Sequence, residues 1–353
     1  MEFLLDYGLF LAKIVTLVAA LIAILVVAKA VGGKSGSAKG ELEVTNLTEQ
    51  HKDRVEQMEH HLHDESFLKA RDKAEKKSEK EKNKAREKAV KQAAKDGDLD
   101  SKREPHLFVL DFKGSIDAKE VSALREEVTA ILAVAREGDE VLLRLETGGG
   151  MVHGYGLASS QLDRLKAAGL PLTISVDKVA ASGGYMMACI ADKIVSAPFA
   201  IVGSIGVIAQ LPNFNKLLKK NDIEFEQLTA GEYKRTLTMF GENTDKAREK
   251  FKQELEETHD LFKDFIREHR PELDLDKVAT GEHWFGTQAK ALGLVDEIST
   301  SDDLVVKACK DKTVLAIHYV EKKKLASKLA GVAGEAADNV LMKLIDRGQR
   351  PIV

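Results

Sequence analysis

From Leu107 to Tyr319 short apolar runs alternate with segments whose apolar residues recur every three or four positions. Leu107–Phe112, Val141–Leu145 and Leu172–Val176 read as strands. Between the first two, Val121, Leu124, Val128, Ile131 and Leu132 share one face of a helix, and a further helix follows over about Tyr155 to Ala168. Short apolar strands alternating with amphipathic helices predict an α/β domain built on a largely parallel sheet. The pattern holds over residues 105–320, roughly two hundred residues, which is enough to bury a core without help.

Outside that span the pattern changes. Gly8 to Ala28 is a run of twenty-one residues with one charge, Lys13. About 20 apolar residues cross a bilayer core as a helix, and Lys13 lies close enough to one end to snorkel. Residues 1–30 therefore read as a membrane anchor with a transmembrane helix. Ala28-Lys29-Ala30 mimics a signal-peptide cleavage site, but Glu2 and Asp6 stand where such a peptide carries positive charge, so a retained anchor fits better. Residues 321–353 place Leu325, Leu329, Val332, Ala336, Val340 and Leu344 on one helical face, weakened by Gly331 and Gly334. That amphipathic helix has a partner subunit, a membrane surface or its own domain as candidate docking sites. The apolar stretch Ala197–Leu211 contains Pro198, Gly203 and Gly206 and is short for a second crossing. It reads as sheet core.

Charge sharpens the division. Residues 31–104 form a Lys-rich spacer, in which Lys69–Lys95 carries twelve Lys or Arg and five Asp or Glu, a net of +7. The whole chain is at −4, which leaves −11 for the remainder. With almost no large apolar residue, the Lys69–Lys95 stretch reads as a solvated helix or tether. No aromatics interleave with its lysines, so nucleic acid is not an expected partner, whereas anionic headgroups at a membrane surface are. The 44% hydrophobic share excludes a wholly disordered chain. Cys189 and Cys309 are too few and too far apart for a disulfide framework or zinc site and read as buried free thiols. His60, His61 and His63 lie among charges and read as a solvated face. No metal and no cofactor are expected; a nucleotide-binding glycine loop is missing.

Two glycine-rich turns follow strands. Thr147-Gly148-Gly149-Gly150 comes directly after Val141–Leu145 and Glu146, and three glycines let the backbone approach a ligand with its N–H groups outward. Ala181-Ser182-Gly183-Gly184 follows the strand ending near Asp177 and resembles a nucleophile on a tight strand-to-helix turn. A serine there needs a base. His153 with Asp177 is one arrangement; Lys178 or Lys234, made neutral by burial, is another. Spacing does not choose among them.

The run Asp177-Lys178-Val179-Ala180-Ala181-Ser182-Gly183-Gly184-Tyr185 resembles the nucleophile motif of the signal peptide peptidase A family of serine proteases. Gly203-Ser204-Ile205-Gly206-Val207, and Gly286-Thr287-Gln288-Ala289 with Gly293-Leu294-Val295-Asp296, resemble two further motifs of that family, and the likeness covers about Phe108 to Ile298. The anchor, the spacer and Met151-Val152-His153-Gly154-Tyr155-Gly156 are similar to the single-repeat inner-membrane members.

The resemblance implies a ClpP/crotonase-like fold, a layered β-β-α superhelix behind the N-terminal transmembrane helix. It assigns Ser182 as nucleophile, Lys234 as general base, Gly149 and Gly183 as oxyanion donors, and Ser204 as the group orienting the lysine. The family's usual Ser-Pro-Gly-Gly is Thr147-Gly148-Gly149-Gly150 here; losing the proline loosens the unfolded chain but keeps Gly149 and Gly150. The implied activity is a serine endopeptidase anchored in the bacterial inner membrane, acting on signal peptides or other membrane-associated polypeptides, as a homo-oligomer. Lysines after the anchor place the domain in the cytoplasm by the positive-inside rule; the resemblance places it on the other side. The competing classes are an acyl-CoA enzyme of the crotonase fold, which gives no role to a Ser182–Lys234 pair, and a non-catalytic membrane scaffold.

Overall fold

The computed structural model describes Gly8, Phe10, Leu11 and residues 13–16, 40–96 and 103–321. Most of the expected anchor helix, and the expected C-terminal helix beyond Glu321, lie outside the described residues. Among the described residues no helix is long and apolar enough to cross a membrane. The chain divides into two compact units, Met1–Glu41 with Val320–Val353, and Leu42–Tyr319. Of the first, Lys13–Thr16 are helical; the core and the candidate site belong to the second.

Strand β1 (Glu41–Asn46) leads into α1 (Leu47–Leu62) and the long α2 (Glu65–Asp96). There follow β2 (His106–Lys113), α3 (Val121–Val134), β3 (Glu140–Glu146), α4 (Val152–Ala167), β4 (Leu172–Val176) and β5 (Val179–Ala181). Next come α5 (Gly183–Ala188), β6 (Lys193–Ser196), β7 (Ile201–Gly203), α6 (Asn215–Lys220) and α7 (Asp245–His269). The chain closes with α8 (Leu275–Val278), β8 (His283–Phe285), α9 (Gly286–Ala291), β9 (Glu297–Ile298), α10 (Ser301–Ala308) and β10 (Thr313–Val320).

Seven strands form one sheet in the order β1-β10-β2-β3-β4-β6-β9, parallel at every pairing from β10 to β9. The fold is thus mixed α/β with a mostly parallel sheet. Leu107, Phe108, Val109 and Leu110 of β2 are all buried, as are Val141, Leu142 and Leu143 of β3. Burial on both faces explains why these strands read as continuous apolar runs without alternation. Helices α3 and α4 cover one face, burying Val121, Leu124, Val128 and Ile131 from one and Tyr155, Ala158, Leu162 and Leu165 from the other. Each fully buried leucine contributes about 1.5–3 kcal/mol.

A second, three-stranded sheet has the order β5-β7-β8. The pairs β4–β5 and β6–β7 each send their first strand to the large sheet and their second to the small one. The connection after each is therefore a sharp turn at the sheets' margin, where the candidate site is built.

Two stretches differ from the pattern reading. Glu41–Asn46, within the residues read as spacer, is a strand of the large sheet, and the Thr48 hydroxyl at the start of α1 accepts the Val314 N–H at 2.9 Å. The Lys-rich stretch itself lies in helix α2. In Ala197–Leu211 only part is core: Ala200, Val202 and Ile205 are buried, whereas Phe199 is 82% and Ile208 79% exposed. Gly203 and Ser204 both have positive φ, and the chain leaves the core only after Ile205. Cys189 is buried and Cys309 only half-buried; both are free.

Candidate active site

Strands β5 and β7 pair in parallel with Ala181 opposite Gly203. Ser182 and Ser204 are the next residues of each. Ser182 has φ 52 and ψ −117, a conformation that costs a non-glycine residue about 1–3 kcal/mol. It is held there from both sides. Its N–H donates to the Gly203 carbonyl at 2.8 Å, and its own carbonyl accepts the N–H groups of Tyr185 and Met186 at 2.9 and 3.0 Å. Ser204 also has positive φ, 51, and donates its N–H to the Glu282 carbonyl at 2.6 Å.

The first glycine turn is stitched to the second. Thr147 donates its N–H to Val179 O at 2.9 Å and accepts the Ala181 N–H at 3.1 Å. Gly149, at φ +83, then lies so close that a Cβ would come within 2.6 Å of both Ala181 O and Gly183 N. A Cβ on Gly183 would meet the Tyr155 ring at 2.5 Å. Both glycines are needed for close approach, and Gly149 also for its φ. Tyr155, fully buried, donates its hydroxyl to Ser115 O at 2.8 Å and contacts Thr147 Oγ1, which accepts the Gly149 N–H at 3.1 Å. Burial pushes the Tyr155 phenol up. Among the described residues the N–H groups of Gly150 and Gly183 have no acceptor.

These turns floor a cleft of about 740 Å³. Ser182, Ser204 and Gly148–Gly150 line it, and α7 supplies a wall with Leu261, Phe262 and Phe265. His259 belongs to that wall and is the sole ionisable side chain lining the cleft among the described residues. The sequence reading missed it, because a lone histidine inside a helix as charged as α7 carries no signal.

The structure brings together Ser182, Ser204, Gly149 and Gly183. It does not bring the candidate bases to them. Lys234 is exposed, off the cleft, in the mostly irregular excursion 206–243. Lys178 pairs with Glu146 at 3.1 Å. Asp177 is occupied by the Ser301 N–H and hydroxyl at 2.9 and 2.5 Å, and His153 is exposed at the start of α4. Among the described residues no three His, Cys, Asp or Glu side chains cluster to hold a metal.

The remaining motif, residues 286–289 with 293–296, braces the Ser182 turn and the strands beside it. The Tyr185 hydroxyl donates to Leu294 O at 3.0 Å. Asp296 accepts Arg270 through both oxygens at 2.8 and 2.9 Å and the Ile194 N–H at 2.7 Å. Thr287 donates its N–H to Pro198 O at 3.1 Å.

Residues 2–162 match the family described as Peptidase family S49 N-terminal, and residues 164–315 match Peptidase family S49. "Probable protease SohB" of Haemophilus influenzae is 52% identical over 349 residues, covering 99% of this chain and 98% of that protein. The "Probable protease SohB" of Buchnera aphidicola subsp. Acyrthosiphon pisum is 52% identical over 98% of both chains. "Protease 4" of H. influenzae is 28% identical over 57% of this chain and 34% of its own length.

Proposed function

The chain belongs to peptidase family S49, and on that footing we propose that it is a serine endopeptidase with Ser182 as nucleophile. The observation that carries the reading is the strained backbone of Ser182 on the cleft floor, next to the unpartnered N–H of Gly183. Strain of this kind persists where surrounding structure over-determines it, and it clusters at reacting residues.

Ser182 Oγ attacks a peptide carbonyl while a base takes its proton, and backbone N–H groups receive the developing oxyanion. Gly183 is one donor. Gly149 is the other, sharing its N–H between Thr147 Oγ1 and the oxyanion. The base in this reading is Lys234, neutral once desolvated, and Ser204 orients its amine. The protonated lysine then gives its proton to the leaving amine, and water releases the acyl-enzyme.

Within one chain Lys234 stays in solvent, on an excursion that also exposes Ile208 (79%) and Leu228 (94%). Apolar surface of this kind fits contact with a second copy, and in our reading that copy's Lys234 enters this cleft. The ClpP/crotonase-like architecture is supported by the way β4–β5 and β6–β7 split between two sheets. Residues 8–28 are proposed to hold the protein in the bacterial inner membrane, on the strength of their length and apolarity.

A fluorophosphonate probe tests the nucleophile: it labels Ser182 in the full chain and leaves Ser182→Ala unlabelled. Mixing Ser182→Ala with Lys234→Ala tests the base. Each is inactive alone, and co-assembly restores hydrolysis if the lysine acts across copies.

A further inference from the structure

The α7 wall of the Ser182 cleft is apolar at Leu261, Phe262 and Phe265. Its two polar side chains are Thr258 and His259. Thr258 is committed, its hydroxyl donating to Glu254 O at 2.7 Å. His259 is not. Its Nε2 is sealed from solvent without a hydrogen-bond partner, and no hydrogen bond to its Nδ1 occurs among the described residues.

An unmet buried polar atom costs about 1–3 kcal/mol, whereas a leucine or phenylalanine at the same place would pack without that cost. A peptide drawn into the cleft meets the complementary problem. Its main-chain N–H and C=O groups lose water, and those facing α7 meet mainly hydrocarbon, with His259 as the one polar side chain there that has no hydrogen bond of its own. A half-turn about χ2 exchanges the ring's nitrogen and carbon positions, so the unpartnered nitrogen need not stay sealed once a peptide arrives.

We propose that His259 hydrogen-bonds a main-chain amide group of the bound peptide and so holds the peptide in the cleft, in the ground and transition states alike. It is a binding residue, independent of peptide sequence, set in a wall whose other side chains select apolar residues. The inference rests on the serine-peptidase reading above and deepens it.

The test uses the full chain in mild detergent and a fluorogenic apolar peptide that the wild type cleaves. In a companion series each peptide bond in turn is replaced by an ester, which removes one N–H and weakens one carbonyl acceptor. His259→Phe is expected to raise KM about tenfold, the worth of one hydrogen bond of about 1.4 kcal/mol, with kcat and the rate of Ser182 labelling by fluorophosphonate unchanged. One ester position should cost the wild type about tenfold and cost His259→Phe nothing further, and His259→Gln should recover most of the loss. Equal ester penalties in wild type and His259→Phe, an unchanged KM, or failure of Gln to rescue would overturn the proposal. If Phe prevents folding, His259→Leu reads the same cycle. Failure of the wild type itself to label at Ser182 would instead remove the peptidase reading beneath it.

Discussion

Ser182 and Ser204 each stand one residue beyond the ends of two parallel strands, with φ of 52 and 51, joined by the Ser182 N–H on the Gly203 carbonyl at 2.8 Å. Two non-glycine residues in left-handed conformations side by side are not explained by packing. They set two serine side chains in one cleft, and Gly149 and Gly183 beside them leave no room for a Cβ.

That fit is testable at Gly183. A Cβ would lie 2.5 Å from the buried Tyr155 ring, so Gly183→Ala should destabilise by about 1–3 kcal/mol through overpacking. It should also tilt the N–H that faces the cleft. Thermal unfolding reads the first effect, and loss of fluorophosphonate labelling at otherwise intact fold reads the second.

Thr147 and Tyr155 should act as one unit. Thr147 Oγ1 contacts the Tyr155 hydroxyl and accepts the Gly149 N–H. Thr147→Val and Tyr155→Phe should each cost about 1–3 kcal/mol, and the double variant less than their sum. Chemical denaturation of the four proteins gives the coupling directly.

Two carboxylates, buried Glu127 and the more exposed Asp296, should respond to acid in opposite directions. Burial raises Glu127, outweighing the Tyr319 N–H and His318 beside it. Its folded-state pKa lies above 4.5, so its contribution is full below 4.5 and lost as pH rises through the folded value. Glu127→Gln should therefore be more stable than wild type at neutral pH, with the gap closing in acid. For Asp296, burial raises the carboxyl but Arg270 and the Ile194 N–H overcome it, and the net shift is below 3.8. Its stabilisation is full above 3.8 and fades as pH falls through the folded value. Asp296→Asn should lose about 1 kcal/mol at neutral pH, solvent screening part of its ion pair, and the loss should shrink in strong acid. Thermal melts across pH check both signs.

The proposed anchor makes its own prediction. Removing residues 1–30 should move the protein from a carbonate-resistant membrane fraction to the supernatant, because the twenty-one-residue run from Gly8 to Ala28 is the part of the chain apolar enough to insert.

Strands β2, β3 and β4 were legible because parallel strands buried on both faces must be written in apolar residues. Helix α3 was legible because its buried residues fall on one face at helical spacing. The strands β5, β7 and β8, three residues each, are too short for any period to show. β1 does alternate, with Leu42 and Val44 between Glu41, Glu43 and Thr45, but the charge that follows masked it. Ser182, Gly149, Gly183 and Ser204 were readable from glycine turns and motif likeness. His259 was not, since the cleft wall it joins is assembled from residues some eighty positions apart in sequence. The separation of Lys234 from Ser182 was equally hidden, because spacing along a chain does not fix which surface an exposed excursion covers.

The most direct measurement is fluorophosphonate labelling of the full-length protein followed by peptide mapping, alongside casein hydrolysis by wild type and Ser182→Ala. The account predicts a single label on Ser182 and no hydrolysis by a folded Ser182→Ala. Hydrolysis at wild-type rate by that variant would contradict it.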